Sequence, residues 1–275
     1  SDKYYIFDKN AWMLDQVQLR APGAESAGSG YTLSNTTYYA DVWALHKDID
    51  DQTRANSDAP LDPDRNATNW LTLQMLIRRE REFASSAFAT SKWGTDKTVT
   101  NQWNDQSNST PIEDVEVGKG TILANTGFLP NKLVLGYNTY KHLRNHPDLV
   151  DRIKYSGQKT VKLADMAELF DVEEVLVSKA AYATNVEGET AAYAMAMGNH
   201  ALLVYTTPTP GLEVPSGGYF YGWDQMSAGS GGMDSFVKKF RIERQASDRV
   251  EIQSAWDTKI VGSDLGYFFS SVVAS

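Results

Sequence analysis

Cysteine is absent from the 275 residues. Its absence excludes disulfides, a cysteine nucleophile, iron–sulfur clusters and thiolate zinc sites, and it fits a chain made in a reducing cytoplasm. No apolar run approaches the ~20 residues needed to cross a bilayer, so no transmembrane helix is expected. Residues 1–20 mix Asp2, Lys3, Asp8, Lys9 and Asp15 with their aromatics and do not read as a secretory signal. Basic residues are few: 26 Lys and Arg stand against 35 Asp and Glu, a formal net charge of −9. Such a chain is poorly suited to gripping DNA phosphates over its whole surface, although it can sit near DNA without adhering. What is present is 41% hydrophobic and 11% aromatic, enough for a sizeable core and against wholesale disorder. At roughly 150 residues per domain the length suggests about two domains, or one with long extensions.

Residues 1–27 carry irregularly spaced apolar anchors, Tyr4, Tyr5, Ile6, Phe7, Trp12, Leu14 and Leu19, and read as an extended arm. Alternation from Tyr38 to His46 predicts a strand, with Tyr39, Trp43 and Leu45 on one face. The six aspartates between Asp48 and Asp64 predict a loop. The strongest helix spans 66–89, its apolar stripe read as Trp70, Leu73, Ile77, Ala84, Ala87 and Phe88, with Asp64, Asn66 and Thr68 as N-cap candidates. Glu80 falls on that stripe, which predicts a buried pair or an outside contact. Trp93 and Trp103 are isolated anchors in a polar stretch.

Residues 112–123 form a short helix or strand, and Leu133 to Gly136 a buried strand. Asn138 can cap the next helix, and Asn145 or His146 another that starts at Pro147. Leu163 to Phe170 is helical and Val172 to Val177 a strand. Residues 191–205 read as a hairpin about Gly198-Asn199, and 211–234 as a glycine-rich loop anchored by Trp223. Strands at 236–242 and 250–256 and a docked apolar C-terminus complete the chain.

No motif assembles an active site. Val117-Gly118-Lys119-Gly120-Thr121 has Glu113 where a phosphate loop needs glycine, and reads as a surface turn. His142 and His146 have metal-like spacing, but Leu143 stands where a zinc protease needs glutamate. The aspartate cluster lacks the glycine and glutamate of a calcium loop and reads as solvated. The glycines at 229–232 are no dinucleotide fingerprint, and no G-x-S-x-G elbow occurs. No catalytic residue, metal site or cofactor is expected.

Three segments carry a resemblance. The first runs from Leu129-Pro130-Asn131-Lys132-Leu133-Val134-Leu135-Gly136 through Tyr140-Lys141-His142-Leu143-Arg144-Asn145-His146-Pro147-Asp148 to Tyr155. The second runs from Leu163-Ala164-Asp165-Met166 to Val177, with Ala180-Ala181-Tyr182 after it. The third is Trp256-Asp257-Thr258-Lys259-Ile260-Val261-Gly262 followed by Asp264-Leu265-Gly266-Tyr267. Together they cover roughly the last half of the chain and resemble the major capsid proteins of tailed bacteriophages.

The resemblance implies an α+β fold of Hong Kong 97 type. Its parts would be an N-terminal arm at 1–27, an extended β-hairpin loop at 28–65, and a spine helix with a peripheral domain at 66–160, joined by returning strands at about 236–258. An axial domain would take 161–235 and 259–275. The implied role is structural, not enzymatic: hexamers and pentamers closing an icosahedral shell around the double-stranded DNA of a tailed phage. Portal, scaffold or protease, and decoration proteins are the implied further partners, with no membrane. The implied location is the virion, assembled in the host bacterial cytoplasm. An encapsulin-like cellular compartment is the alternative on the same fold.

Tyr4, Tyr5, Phe7, Trp12, Tyr38, Tyr39, Trp43 and Trp223 are the candidate intersubunit contacts, with Trp43 and Tyr39 expected to be covered only on assembly. Some family members weld subunits through a lysine–asparagine bond. Lys47 lies in the projecting segment, but no acceptor motif matches, so no self-crosslink is expected. Ser1 stands in place of an initiator Met. That leaves open removal of a Met, removal of a longer scaffold-like segment, or a numbering that omits residues.

Overall fold

A computed structural model of the chain describes every residue except 1, 8–13, 31–33, 59, 154–160, 187, 224–234 and 275. The strongest apolar runs in the sequence make its central sheet. Lys132–Gly136 (β5), Ala201–Val204 (β9) and Gly266–Ser270 (β13) are nearly continuous in Leu, Val and Phe, as strands covered on both faces must be. With Thr95–Thr98 (β4) and Glu174–Ser178 (β6) they form a five-stranded mixed sheet in the order β4-β13-β9-β5-β6. The pairs β4/β13 and β5/β6 are parallel and the inner pairs antiparallel.

One face of this sheet is covered by the helices Pro111–Thr126, Tyr137–Leu143, Pro147–Ile153 and Leu163–Leu169. Numbered after two earlier helices, these are α3 to α6. Their core holds Trp103, Ile122, Leu133, Leu135, Leu149, Met166, Phe170 and Phe269. A Cβ on Gly118 would stand 3.1 Å from the Phe269 ring, so a bare backbone lets α3 lie close on the sheet. Gly127 ends α3 at φ 73°, its N–H donating to Leu123 O.

The opposite face meets the C-terminal half of the long helix Pro63–Ala87 (α2) through Ala84, Ala87 and Phe88. At 25 residues α2 is about 37 Å long and reaches a second sheet. That sheet is built on Ser247–Ile260 (β12), flanked on one side by Asp41–Asp50 (β3). Phe236–Ile242 (β11) pairs with its first half and Gly218–Gly222 (β10) with its last residues. Ala67, Leu71 and Met75 of α2 close a core with Ile49, Val250, Ile252 and Trp256. Asp2–Ile6 (β1) pairs with Ser34–Tyr38 (β2), and Ala181–Ala183 (β7) with Tyr193–Met195 (β8).

Several expectations are corrected. Among the described residues, 28–65 is not a hairpin: β2 pairs with β1 and β3 with β12. The expected loop at 48–64 holds the end of β3, the helix Asp51–Ala55 (α1) and the start of α2. The cap of α2 is Asp62, whose carboxylate accepts from the N–H groups of Asp64 and Arg65. The buried stripe of α2 is 67, 71 and 75, then 84, 87 and 88, because its two halves face two sheets; Trp70 and Leu73 are exposed.

Residues 112–123 lie wholly in α3. Asn138 is not a cap: it sits inside α4 and donates to Asn199 Oδ1. His146 does cap α5, accepting from Asp148 N–H. Residues 191–205 are not one hairpin either, since β8 pairs with β7 and β9 with β5 and β13. Part of the expected glycine-rich loop is strand β10; its 224–234 portion lies outside the described residues. The C-terminus is docked as expected, with Val272 and Val273 buried.

Candidate functional site

The sequence motifs that hinted at chemistry are absorbed by structure. Gly118-Lys119-Gly120 lies mid-helix in α3, not in a turn. The Lys119 ammonium donates to Phe170 O at 3.2 Å, Asp171 O at 2.9 Å and Asp171 Oδ2 at 2.5 Å. It thereby closes the end of α6, where Asp171 takes a positive φ of 50°.

His146 is buried, and both of its nitrogens are used. Nδ1 accepts from Asp148 N–H at 3.2 Å, and Nε2 lies 2.9 Å from Ser109 Oγ. Ser109 spends its proton on Asp105 O at 2.6 Å, so His146 Nε2–H is the donor to it. Burial holds His146 below the usual histidine range, against the opposing pull of Asp148. This ring does not join His142 as a metal ligand. Among the described residues no group of three or more histidine, aspartate or glutamate side chains is placed to hold a metal ion.

The aspartate cluster is exposed, but most of it lies on or caps β3, α1 and α2 rather than in a loop, and several of its members are paired. Asp48 accepts two bonds from Arg249 at 2.7 Å, and Asp51 two from Arg241 at 2.6 Å. Asp64 meets Arg54 at 3.1 Å and Lys239 at 3.0 Å, and Asp50 caps α1. Hydrogen bonds from these arginines hold Asp48 and Asp51 below the usual carboxylate range.

The aromatic candidates divide. Tyr4 is buried in its own chain, 5.6 Å from the Tyr221 ring, and Tyr38 stacks on Tyr221 at 4.3 Å. This corrects the expectation that the arm leaves Tyr4 uncovered. Phe7 donates its N–H to Val261 O and sets its ring 6.4 Å from Phe128; Tyr5 is half-buried. Trp43 is also half-buried without any partner subunit, between Trp256 at 5.8 Å and the Arg78 guanidinium at 3.9 Å. Tyr39 and Trp223 stay exposed, at 65% and 45%. Trp12 lies outside the described residues.

Sequence reading missed a groove of about 860 Å³ between α2 and the outer strand of the central sheet. Leu73, Leu76 and Phe83 line it from α2, Leu176 from β6 and Phe220 from β10. Glu80 reaches across and accepts from Ser178 Oγ at 2.6 Å, so its place on the apolar stripe is the contact expected of it. The signal was the surplus of leucines around α2, more than one buried stripe can hold.

No family model matches the chain. It is 30% identical over 169 residues to the major capsid protein of Burkholderia phage BcepMu, a match taking in 60% of this chain and 51% of that protein. The chain thus spans about half the length of that relative. It is 25% identical over 263 residues to the major capsid protein of Pseudomonas phage JBD67, covering 91% of this chain and 78% of that one. In fold it is similar to a phage-related protein of Bordetella bronchiseptica RB50, with TM-score 0.73, 24% identity, and 98% and 86% of the two chains covered. The capsid of cyanophage P-SCSP1u gives TM-score 0.59 at 12% identity, over 98% and 82%.

Proposed function

We propose that this chain, a homologue of phage major capsid proteins, is itself the repeating subunit of a tailed-phage head. It would assemble as hexamers and pentamers into an icosahedral shell around double-stranded DNA. The observation that carries this reading is the near end-to-end relation to the JBD67 capsid protein, across 91% of the chain. The fold agrees with it: an extended N-terminal region and a long helix joining two sheets suit a tile that must touch several neighbours.

In this reading α2 is the spine helix. The sheet built on β12, β10 included, belongs to the peripheral domain, and the central sheet with α3 to α6 to the axial domain. Tyr39 and Trp223, exposed on the subunit, are contacts to neighbours. The role is structural rather than enzymatic. The net charge of −9 lets enclosed DNA slide and leave without adhering to the wall. Portal, scaffold or protease, and decoration proteins are the further partners, and the location is the virion, assembled in the bacterial cytoplasm.

The contents of the particle test this reading. Particles isolated from phage-producing cells and treated with nuclease should retain double-stranded DNA and contain this chain as their most abundant protein. Shells filled with a protein cargo and no genome would overturn it in favour of a cellular compartment.

A further inference from the structure

The turn from the second sheet into the long helix is held differently from the rest of the molecule. Ile49 and Ala67 are both buried in the core beneath α2. Between them, among the described residues, no apolar side chain is buried. α1 buries none of its five residues, and Leu61 is 64% exposed. The segment is also loosely packed. Asp50, Gln52, Thr53, Asn56, Ser57 and Leu61 line an open hollow of about 550 Å³.

What ties it down is charge. Asp51 accepts two bonds from Arg241 of β11 at 2.6 Å. Arg54 donates to Asp248 of β12 and, at 3.1 Å, to Asp64 of α2. Lys239 of β11 lies 3.0 Å from Asp64 and 3.9 Å from Asp248, and Arg241 reaches Asp248 at 3.4 Å. Glu243 flanks Arg241 at 3.8 Å. Asp51, Asp64 and Asp248 thus alternate with Arg54, Lys239 and Arg241. Asp248 meets all three cations, and its side chain, 18% exposed, is the least exposed of the six. One backbone bond, from Asp51 N–H to Ala246 O at 3.1 Å, adds to these ties. Arg54 Nε is shielded from solvent yet meets no acceptor among the described residues, so even the closed network is not fully satisfied.

Ion pairs and apolar burial respond differently to salt. Partly exposed pairs weaken as ions screen them, whereas a buried core does not. We propose that residues 50–62 form an ionic latch, closed on Asp248 at low ionic strength and opening by itself as salt rises. Opening frees α1 and the connection from β3 to α2, while Ile49 and Ala67 keep the core shut on either side. A segment attached in this way opens locally, well below the free energy of unfolding the whole subunit. The latch belongs to the single chain and does not rest on the shell-subunit reading. In a shell it would leave each subunit one end that yields while both sheets stay rigid.

Hydrogen–deuterium exchange of the full chain tests it, read on peptides covering 50–62 and 250–256. From about 50 mM to about 1 M NaCl the first should exchange about tenfold faster while the second is unchanged. Asp248→Asn should show the fast exchange already at low salt. Asp48→Asn removes the pair with Arg249, which includes no residue of α1, and should keep both the slow exchange and the salt response. The latch is overturned if the first peptide ignores salt, if both peptides speed up together, or if Asp48→Asn acts as Asp248→Asn does. Where Asp248→Asn fails to fold, the salt series on the unmodified chain decides alone. Sedimentation of the same samples follows assembly. A salt response confined to samples whose particles have come apart reports a contact between subunits and overturns the latch. A response at constant assembly state supports it, whether or not shells form.

Discussion

Trp43 and Trp256 lie ring over ring, centroids 5.8 Å apart and planes at 26°, with the Arg78 guanidinium 3.9 Å from the Trp43 ring centroid. The stack joins β3 to β12 beneath α2, so Trp43 helps hold the subunit together before any neighbour arrives. Replacing a large aromatic in such a place removes apolar burial and the ring contacts together. Trp43→Ala should cost the isolated subunit about 2 kcal/mol, since the side chain is only half-buried. Urea unfolding followed by circular dichroism checks this. An unchanged midpoint, with shell formation alone impaired, would restore Trp43 to a purely intersubunit role.

Two histidines make the fold sensitive to mild acid. His146 and His200 each accept a backbone N–H at Nδ1, from Asp148 and from Ser271, and burial holds both below the ordinary value of 6.5. The unfolded chain therefore takes up protons first as pH falls. Stability should be full above 6.5 and decline from there towards the lower folded values. The fall should be shallower in His146→Gln. Thermal unfolding between pH 7.5 and 5 measures it, and a melting temperature that does not drop across this range would contradict the assignment.

Glu82 behaves in the opposite sense. Burial on α2 pushes its carboxyl above the usual range, with Arg78 opposing from 3.6 Å. A raised value means the neutral form is favoured in the fold. That contribution is complete below 4.5 and is lost as pH rises through the folded value. Glu82→Gln should therefore stabilise the subunit at pH 7, and the gain should vanish below pH 4.5. Chemical denaturation at the two pH values decides it.

Gly136 ends β5 where a Cβ would stand 2.1 Å from Gly198 O. The obstacle is backbone, which cannot swing aside. Gly136→Ala should destabilise the subunit by about 3 kcal/mol, at the upper end for overpacking, and lower its soluble yield. A melting temperature equal to that of the unmodified chain would show that the turn at Gly198 is freer than it looks.

Strand β5 was legible because Leu133 to Leu135 is a short apolar run too dense for an exposed strand; Ala201 to Val204 was legible as a strand but not its partners, and Tyr267 to Phe269 only as a docked apolar terminus. The long helix was legible from its periodicity, but its stripe was misread. Trp70 and Leu73 are larger than Ala67 and draw the eye, yet Ala67 is the residue that is buried in the core shared with β12. The pairing of β1 with β2 could not be read, because nothing local in Asp2–Ile6 says that its partner lies some thirty residues away. The pairing of Asp48 and Asp51 was hidden for the same reason, their arginines being about two hundred residues distant. The candidate contacts suffered most. Aromatic residues mark burial, and sequence alone does not say whether the burial is within a chain or between chains.

Assembly itself is the most direct measurement. The chain, expressed with any neighbouring scaffold gene, should yield closed angular shells of uniform size by negative-stain electron microscopy. A monodisperse species at the 30.5 kDa monomer mass under the same conditions would contradict the account.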